Sequence, residues 1–394
     1  MAQAIPIIAI PILTRIYRPE DFGVLALFVS ITAILGAVAN ARYEIAITQA
    51  ASELNSFRVA VLGLLICSVF SILLIIPFII FNDVLVSLVG NAKISVWLYF
   101  VPITVWFIGI YNVFNFLSTR RKSYKEIAAS HIFRSVSMVS LQSLLGLLKF
   151  GASGLIIGHI VSHIASIFSL TRSIVCRKLF ITIFDFKKIK VLACRYKKFP
   201  IFMLPATIMN SISNNMLSIT IPTLFSLSTL GHYSLAQRAL GAPSAIIGNS
   251  IAQVYLQQAS KEKQETGSVI KSFNSTLLKL LAVSVCIFAP AYFFVEPVFE
   301  FVFGQDWLIA GTYCKILIPY FSVNFVVSAL SYTDSIMGKQ YLYAAFNFIL
   351  IIGLLLILIF FDIESIYSFL HIVVGYLVAT YLLYLMLLRK VAKN

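Results

Sequence analysis

Apolar runs long enough to cross a membrane recur along this chain, separated by short charged segments, and that rhythm leaves few folds open. Residues 22–41 form one such run of about 20 mostly apolar residues, the length a helix needs to cross a hydrocarbon core. A short first helix ending near Leu13 precedes it, and the second helix is expected over 22–47. Helices over 57–81, 94–117, 127–148 and 154–175 complete a first set of six. Those over 201–225, 233–255, 273–295, 313–336, 341–361 and 366–388 form a second. The expected class is an all-α polytopic membrane protein with about 12 transmembrane helices and no soluble domain.

Composition agrees, with 60% hydrophobic residues and 11% charged. A soluble chain carries roughly 25% charged residues. The formal charge of +15 does not point to nucleic acid, because the basic residues lie between apolar runs rather than on one polar domain. Arg58, the Arg120-Arg121-Lys122 cluster with Lys125, Lys261, Lys263, Lys339 and the tail Arg389, Lys390, Lys393 fall on alternate loops. The positive-inside rule puts those loops and both termini in the cytoplasm, with Arg15 and Arg18 as exceptions. The loops carrying Asp83, Glu296, Glu300, Asp306, Asp362 and Glu364 then face outward. The one long polar stretch, from Arg177 to Lys198, divides the chain into residues 1–178, a basic cytoplasmic linker 179–198, and residues 199–394. The two halves echo each other. Phe22-Gly23-Val24-Leu25 opens one second helix and Leu230-Gly231-His232-Tyr233 its counterpart. Parallel repeats of this kind are a transporter architecture, with the substrate site at their interface.

Residues 1–13 have no basic n-region and no small-residue cleavage site, so no cleavable leader is expected. The five cysteines show no CxxC pair and read as small buried hydrophobes. No phosphate-binding loop is present, so neither ATP hydrolysis nor any cofactor is expected. His159 and His163 stand at helical i, i+4 spacing, but no third ligand is evident, and polar helix packing outweighs a metal site.

Charges inside the apolar runs carry more information. Arg134, Arg238, Lys279 and Lys315 fall within expected spans, and Arg42 and Glu44 lie near the far end of the second, on different faces of one helix. A lipid-facing Arg at mid-membrane costs about 2.5 kcal/mol or more, so such groups either snorkel to headgroups or line a wet cavity. Several bases with few acids to neutralise them fit a cavity for an anionic substrate, and a phosphate or pyrophosphate on a lipid carrier suits Lys and Arg well. Arg42, Arg238, Lys279, Arg134 and Lys315 are therefore the candidate substrate-binding residues, and Glu44 the candidate for ion coupling.

Two stretches resemble a known family. Ile12-Leu13-Thr14-Arg15-Ile16-Tyr17 through Asp21-Phe22-Gly23, followed by Ala41-Arg42-Tyr43-Glu44-Ile45-Ala46-Ile47, resemble the start of Wzx-type O-antigen and polysaccharide flippases. Leu230-Gly231-His232-Tyr233-Ser234-Leu235-Ala236-Gln237-Arg238 resembles that family's helix opening in the second half. The resemblance implies the multidrug/oligosaccharidyl-lipid/polysaccharide exporter superfamily, with two six-helix bundles around a central cavity. It also implies a transporter of undecaprenyl-pyrophosphate-linked oligosaccharide across the bacterial inner membrane, surrounded by membrane lipids. An O-antigen polymerase and a chain-length regulator are the implied protein partners. Two alternatives remain open. A cation-coupled drug exporter of the same superfamily would favour acids in its lumen, and a membrane O-antigen polymerase would show a large periplasmic loop.

Overall fold

The computed structural model describes residues 4–89, 92–175 and 185–393, and among them there are helices and no strands. Cys176, Arg177, Lys178 and residues 179–184 of the expected linker lie outside the described residues. By its packing the chain divides into two compact units, Met1–Gly231 and His232–Asn394.

The first unit begins with α1 (Ala4–Ile16), α2 (Pro19–Gly36), α3 (Tyr43–Gln49), α4 (Glu53–Ile80) and the short α5 (Asn82–Val89). It continues through α6 (Ser95–Leu98), α7 (Val101–Arg120), α8 (Tyr124–Leu147), α9 (Ala152–Val175), α10 (Phe186–Arg195) and α11 (Leu204–Leu224). The helix α12 (Leu227–Thr266) opens in the first unit, with α13 (Ile270–Phe303), α14 (Leu308–Leu330), α15 (Tyr332–Ile336), α16 (Tyr341–Phe360) and α17 (Ile366–Lys393) in the second. Each expected span corresponds to one of these helices or to a broken pair. Among the described residues, eight helical segments are long and apolar enough to cross a membrane; α1 is shorter, and α8, α11 and α12 are long but more polar. The protein is thus an all-α polytopic membrane protein. Its outward side chains agree: Ile72, Leu73 and Ile80 on α4, and Phe293 and Phe301 on α13, are more than half exposed, as lipid-facing residues would be.

Pro19 at the first position of α2, with Glu20 and Asp21 behind it, starts that helix. The Arg18 backbone N–H donates to the Asp21 carboxylate at 3.1 Å, closing its first turn. From there α2 is buried on most sides, with Phe22, Val24, Leu27 and Phe28 all at 1% exposure or less. Gly23 is where α2 meets the first turn of α12: a Cβ added there would fall on the Leu227 carbonyl, and one on Gly231 would fall on the Pro19 carbonyl. The two Gly positions that look like repeats in the sequence are thus the two sides of one helix crossing.

The second helix is not continuous to Ile47 as its apolar pattern suggests. α2 stops at Gly36, and residues 37–42 form turns in which Ala41 and Arg42 both take left-handed backbone conformations, with φ of 48° and 64°. Asn40 fixes the break. Its amide donates to the Gly63 carbonyl on α4 and the Gly109 carbonyl on α7, both at 3.2 Å. Those glycines let three segments approach: a Cβ on Gly109 would meet the Cys67 sulfur, and one on Gly63 would crowd Val113. A fixed left-handed turn, held by a side chain that satisfies two interhelical carbonyls, overrides the helical periodicity.

Two further differences concern length. The stretch before α11 contains the ordered helix α10, whose Asp185 side chain accepts from the Lys188 N–H at 3.2 Å as a cap. α12 runs well past residue 255 to Thr266, because its polar end continues without a glycine or proline stop until Gly267.

Candidate functional site

The break after α2 puts Arg42 just ahead of α3 rather than inside a helix, and so brings it back onto Glu44. Arg42 Nη1 lies 3.3 Å from Glu44 Oε1, with the Glu44 side chain 3% exposed and that of Arg42 26%. Helical spacing would have put them on different faces; the left-handed turn pairs them. Glu44 sits in the first turn of α3, where the helix dipole favours a negative charge. The far end of α3 is capped from α7, where Arg120 Nη1 donates to the carbonyls of Ile47 and Thr48, both at 3.0 Å. The Arg42–Glu44 pair is only half satisfied, because Arg42 Nε and Glu44 Oε2 are buried with no partner. It therefore offers one open donor and one open acceptor to a further group.

Arg134 on α8 faces α7 and α9. Its guanidinium donates to His163 Nε2 at 3.2 Å and lies 5.8 Å from the centre of the Tyr111 ring. His131 packs edge-on to the same ring, and the His159 and His163 rings stand 5.1 Å apart. The i, i+4 histidines pack against each other, with an arginine on His163, and no group of three metal-ligating side chains gathers among the described residues. His163 Nδ1 and Asn115 Oδ1, both in this unit, are buried and unpartnered.

In the second unit the three cations divide. Lys315 on α14 donates to Glu296 Oε2 on α13 at 2.8 Å, beside the Tyr292 ring, so its charge is already matched. Arg238 on α12 is half-buried and Lys279 on α13 is exposed, and neither has an acidic side chain within ion-pair distance among the described residues. The structure therefore joins Arg42 to Glu44, Arg134 to His163 and Lys315 to Glu296, and leaves Arg238 and Lys279 uncompensated.

Sequence reasoning missed one group. Asp334 reads as a boundary residue, yet it is 2% exposed. α14 ends at Leu330, and the short α15 turns Asp334 inward, where Tyr384 on α17 donates to Oδ2 at 2.5 Å. Oδ1 is buried without a partner. Tyr255 and Thr333 hydrogen-bond beside it at 2.6 Å, and Phe346 stacks on Tyr384 with ring centres 4.2 Å apart. The repeated Tyr at 381 and 384 was the available signal for this polar aromatic wall.

A family model described as polysaccharide biosynthesis protein matches residues 12–311, about three quarters of the chain. The chain belongs to this family. The match begins at Ile12 and takes in both stretches on which the flippase resemblance rests, Ile12 to Ile47 and Leu230 to Arg238. Outside the family model, the succinoglycan biosynthesis transport protein ExoT of Rhizobium meliloti (strain 1021) is 23% identical over 335 residues, 79% of this chain. The chain spans 64% of the length of that relative. Among solved structures, an inward-facing multidrug resistance MATE family transporter of the MOP superfamily aligns with a TM-score of 0.75 at 13% identity, covering 98% of this chain and 94% of its own. The lipid II flippase MurJ in an inward closed conformation aligns at 0.71 and 15% identity, over 99% of this chain and 89% of its own. This family member therefore shares the fold of those two structures, and these relatives and neighbours are transporters or a flippase by name, none an enzyme.

Proposed function

We propose that this chain is a flippase moving an undecaprenyl-pyrophosphate-linked saccharide repeat from the inner to the outer leaflet of the bacterial inner membrane by alternating access. The O-antigen unit is the first candidate for the saccharide, and a succinoglycan-type unit the second. Both termini face the cytoplasm in this reading, and a polymerase with its chain-length regulator takes over the product. The observation that carries it is the pair of uncompensated cations, Arg238 and Lys279, on helices of a polysaccharide-family membrane protein. An unpaired Arg or Lys in a span is costly unless it meets water or an anion, and a diphosphate supplies paired oxyanions that such groups bind strongly. In the first unit the half-satisfied Arg42–Glu44 pair leaves Arg42 Nε without a partner, and Arg134 adds a second guanidinium, already donating to His163. Lys315 has a structural partner already and contributes least. Glu44 is the acid assigned to ion coupling.

Buried Asp334, with one open carboxylate oxygen, favours a second reading: a cation-coupled exporter of cationic compounds. One assay separates the two. The protein is reconstituted in liposomes with fluorescent undecaprenyl-pyrophosphate-linked oligosaccharide, and leaflet transfer is followed by loss of lectin accessibility. The flippase reading expects transfer that falls at least about tenfold in Arg238→Ala and in Lys279→Ala, the scale of losing one charge-assisted contact, while Lys393→Ala keeps the wild-type rate. Wild-type rates in both lumen variants would refute it, and transport of a cationic dye in place of the lipid would establish the exporter.

A further inference from the structure

Between the described part of the linker and the start of α11 the first unit carries a surface that neither the transport reading nor the family explains. On α10, Ile189 and Leu192 are 4% and 6% exposed and join a core cluster with Ala46 and Ile47 of α3 and Phe57 of α4. The Tyr43 hydroxyl on α3 donates to the Ala193 carbonyl at 3.1 Å, so α10 is fixed to α3 by a polar contact as well. The other faces of the segment are basic: Lys187, Lys188, Lys190, Arg195, Lys197 and Lys198 are all exposed. One acid, Asp185, accompanies them and is taken up by Lys188 at 3.2 Å. Apolar side chains stand among these cations, with Val191 66% exposed, Ile201 56% and Phe202 70%, immediately before α11 enters its apolar run.

We propose that α10, with the residues that follow it to Met203, is a binding site for anionic phospholipid headgroups, lying flat on the membrane surface. Three features select this occupant. The surplus of cations calls for a polyanion. The exposed Val191, Ile201 and Phe202 call for hydrocarbon just beneath that anion, which a leaflet supplies and a nucleic acid or acidic protein surface does not. A basic cluster directly beside a membrane-entering helix is the arrangement that anionic leaflets attract, each Lys or Arg strengthening attachment by roughly fivefold. Through Tyr43 and Ala193 the occupied helix would steady α3, the element that begins beside Arg42 and carries Glu44. Leaflet charge is thereby linked to the order of that pair. None of this depends on which substrate is carried.

The test uses the full chain with an environment-sensitive, bromine-quenched fluorophore on Cys194, which is exposed on α10, in a background carrying Cys286→Ser, the other exposed cysteine among the described residues, and Cys176→Ser. The labelled protein is placed in nanodiscs containing brominated phosphatidylglycerol or brominated phosphatidylcholine at equal mole fraction. Quenching should be at least threefold stronger from the anionic lipid. It should fall to the neutral level at about 0.5 M salt, where the Debye length is roughly 4 Å. It should fall likewise in Lys187→Gln/Lys190→Gln/Arg195→Gln. If that triple variant does not fold, the salt titration of the wild type and single Lys190→Gln decide. Equal quenching by both lipids, or anionic preference surviving in the variants and at high salt, overturns the proposal. Quenching relieved only by added undecaprenyl phosphate overturns it too, because the occupant would then be the carrier lipid. Flippase activity is not read, so failure here leaves the transport reading untouched.

Discussion

The crossing of α2 and the first turn of α12 provides a sharp mutational test. Gly23→Ala puts a methyl group onto the Leu227 carbonyl, and Gly231→Ala puts one onto the Pro19 carbonyl. Both obstacles are helix backbone, which cannot swing aside as a side-chain tip can. The helices must separate, and overpacking of this kind costs about 1–3 kcal/mol. The coupling between the two substitutions is the informative quantity. Once either methyl has pushed the helices apart, the second finds the space already opened, so the double variant should cost little more than the worse single one. Gly375→Ala is the control: on α17 a Cβ there meets nothing within 4 Å, and stability should hold or rise slightly. Thermal unfolding of the purified protein in detergent measures all four. A chain of this size should lose about 2 °C or less of Tm per kcal/mol, so each single variant falls by up to roughly 6 °C. Additivity of the two substitutions to within about 0.5 kcal/mol would refute the reciprocal contact, as would unchanged stability in either single variant.

Two further predictions concern charge. Arg42→Gln strips the partner from buried Glu44 and should destabilise by about 1–3 kcal/mol, less than for a fully buried pair because Arg42 is partly exposed; Arg42→Gln/Glu44→Gln should recover most of the loss in the same unfolding assay. Glu262 on α12 caps α13, accepting from the Lys271 and Ser272 N–H groups at 3.0 and 2.7 Å; burial pushes its carboxyl up, but those bonds and the nearby Lys271 charge pull it below its usual value. With the folded value depressed, the cap's contribution is complete above about pH 4.3 and vanishes as pH falls through the folded value. Glu262→Gln should therefore lower Tm at neutral pH and converge with the wild type in acid, and a constant difference across that range would contradict the assignment.

The sequence carries the spans well where apolar runs are uninterrupted, as in α4, α16 and α17, because hydrocarbon thickness sets their length. It fails at residues 37–42, where apolar periodicity continues through a turn that Asn40 holds by reaching two carbonyls on other helices. No local pattern announces such a tertiary bond. The same limit applies to the site. The type of residue at 42, 134, 238, 279 and 315 marks them as candidates, but only packing separates the matched Lys315 from the unmatched Arg238. Asp334 was hidden for the opposite reason: it looks like a polar residue at a helix end, and a five-residue helix turns it inward.

The left-handed pair Ala41-Arg42 also bears on which mutations this protein can accept. Non-glycine residues in that conformation cost roughly 1–2 kcal/mol each, a cost that glycine largely escapes. The chain nevertheless keeps two side chains there, one of them the cation that faces Glu44. Selection for heat resistance alone should therefore drift toward glycine at 41, where only a methyl group is lost, but not at 42, where glycine would strip buried Glu44 of its partner and forfeit what it relieves. The two neighbouring strained positions thus differ in what they tolerate: residue 41 is free to change for stability, while residue 42 is held by the charge it faces.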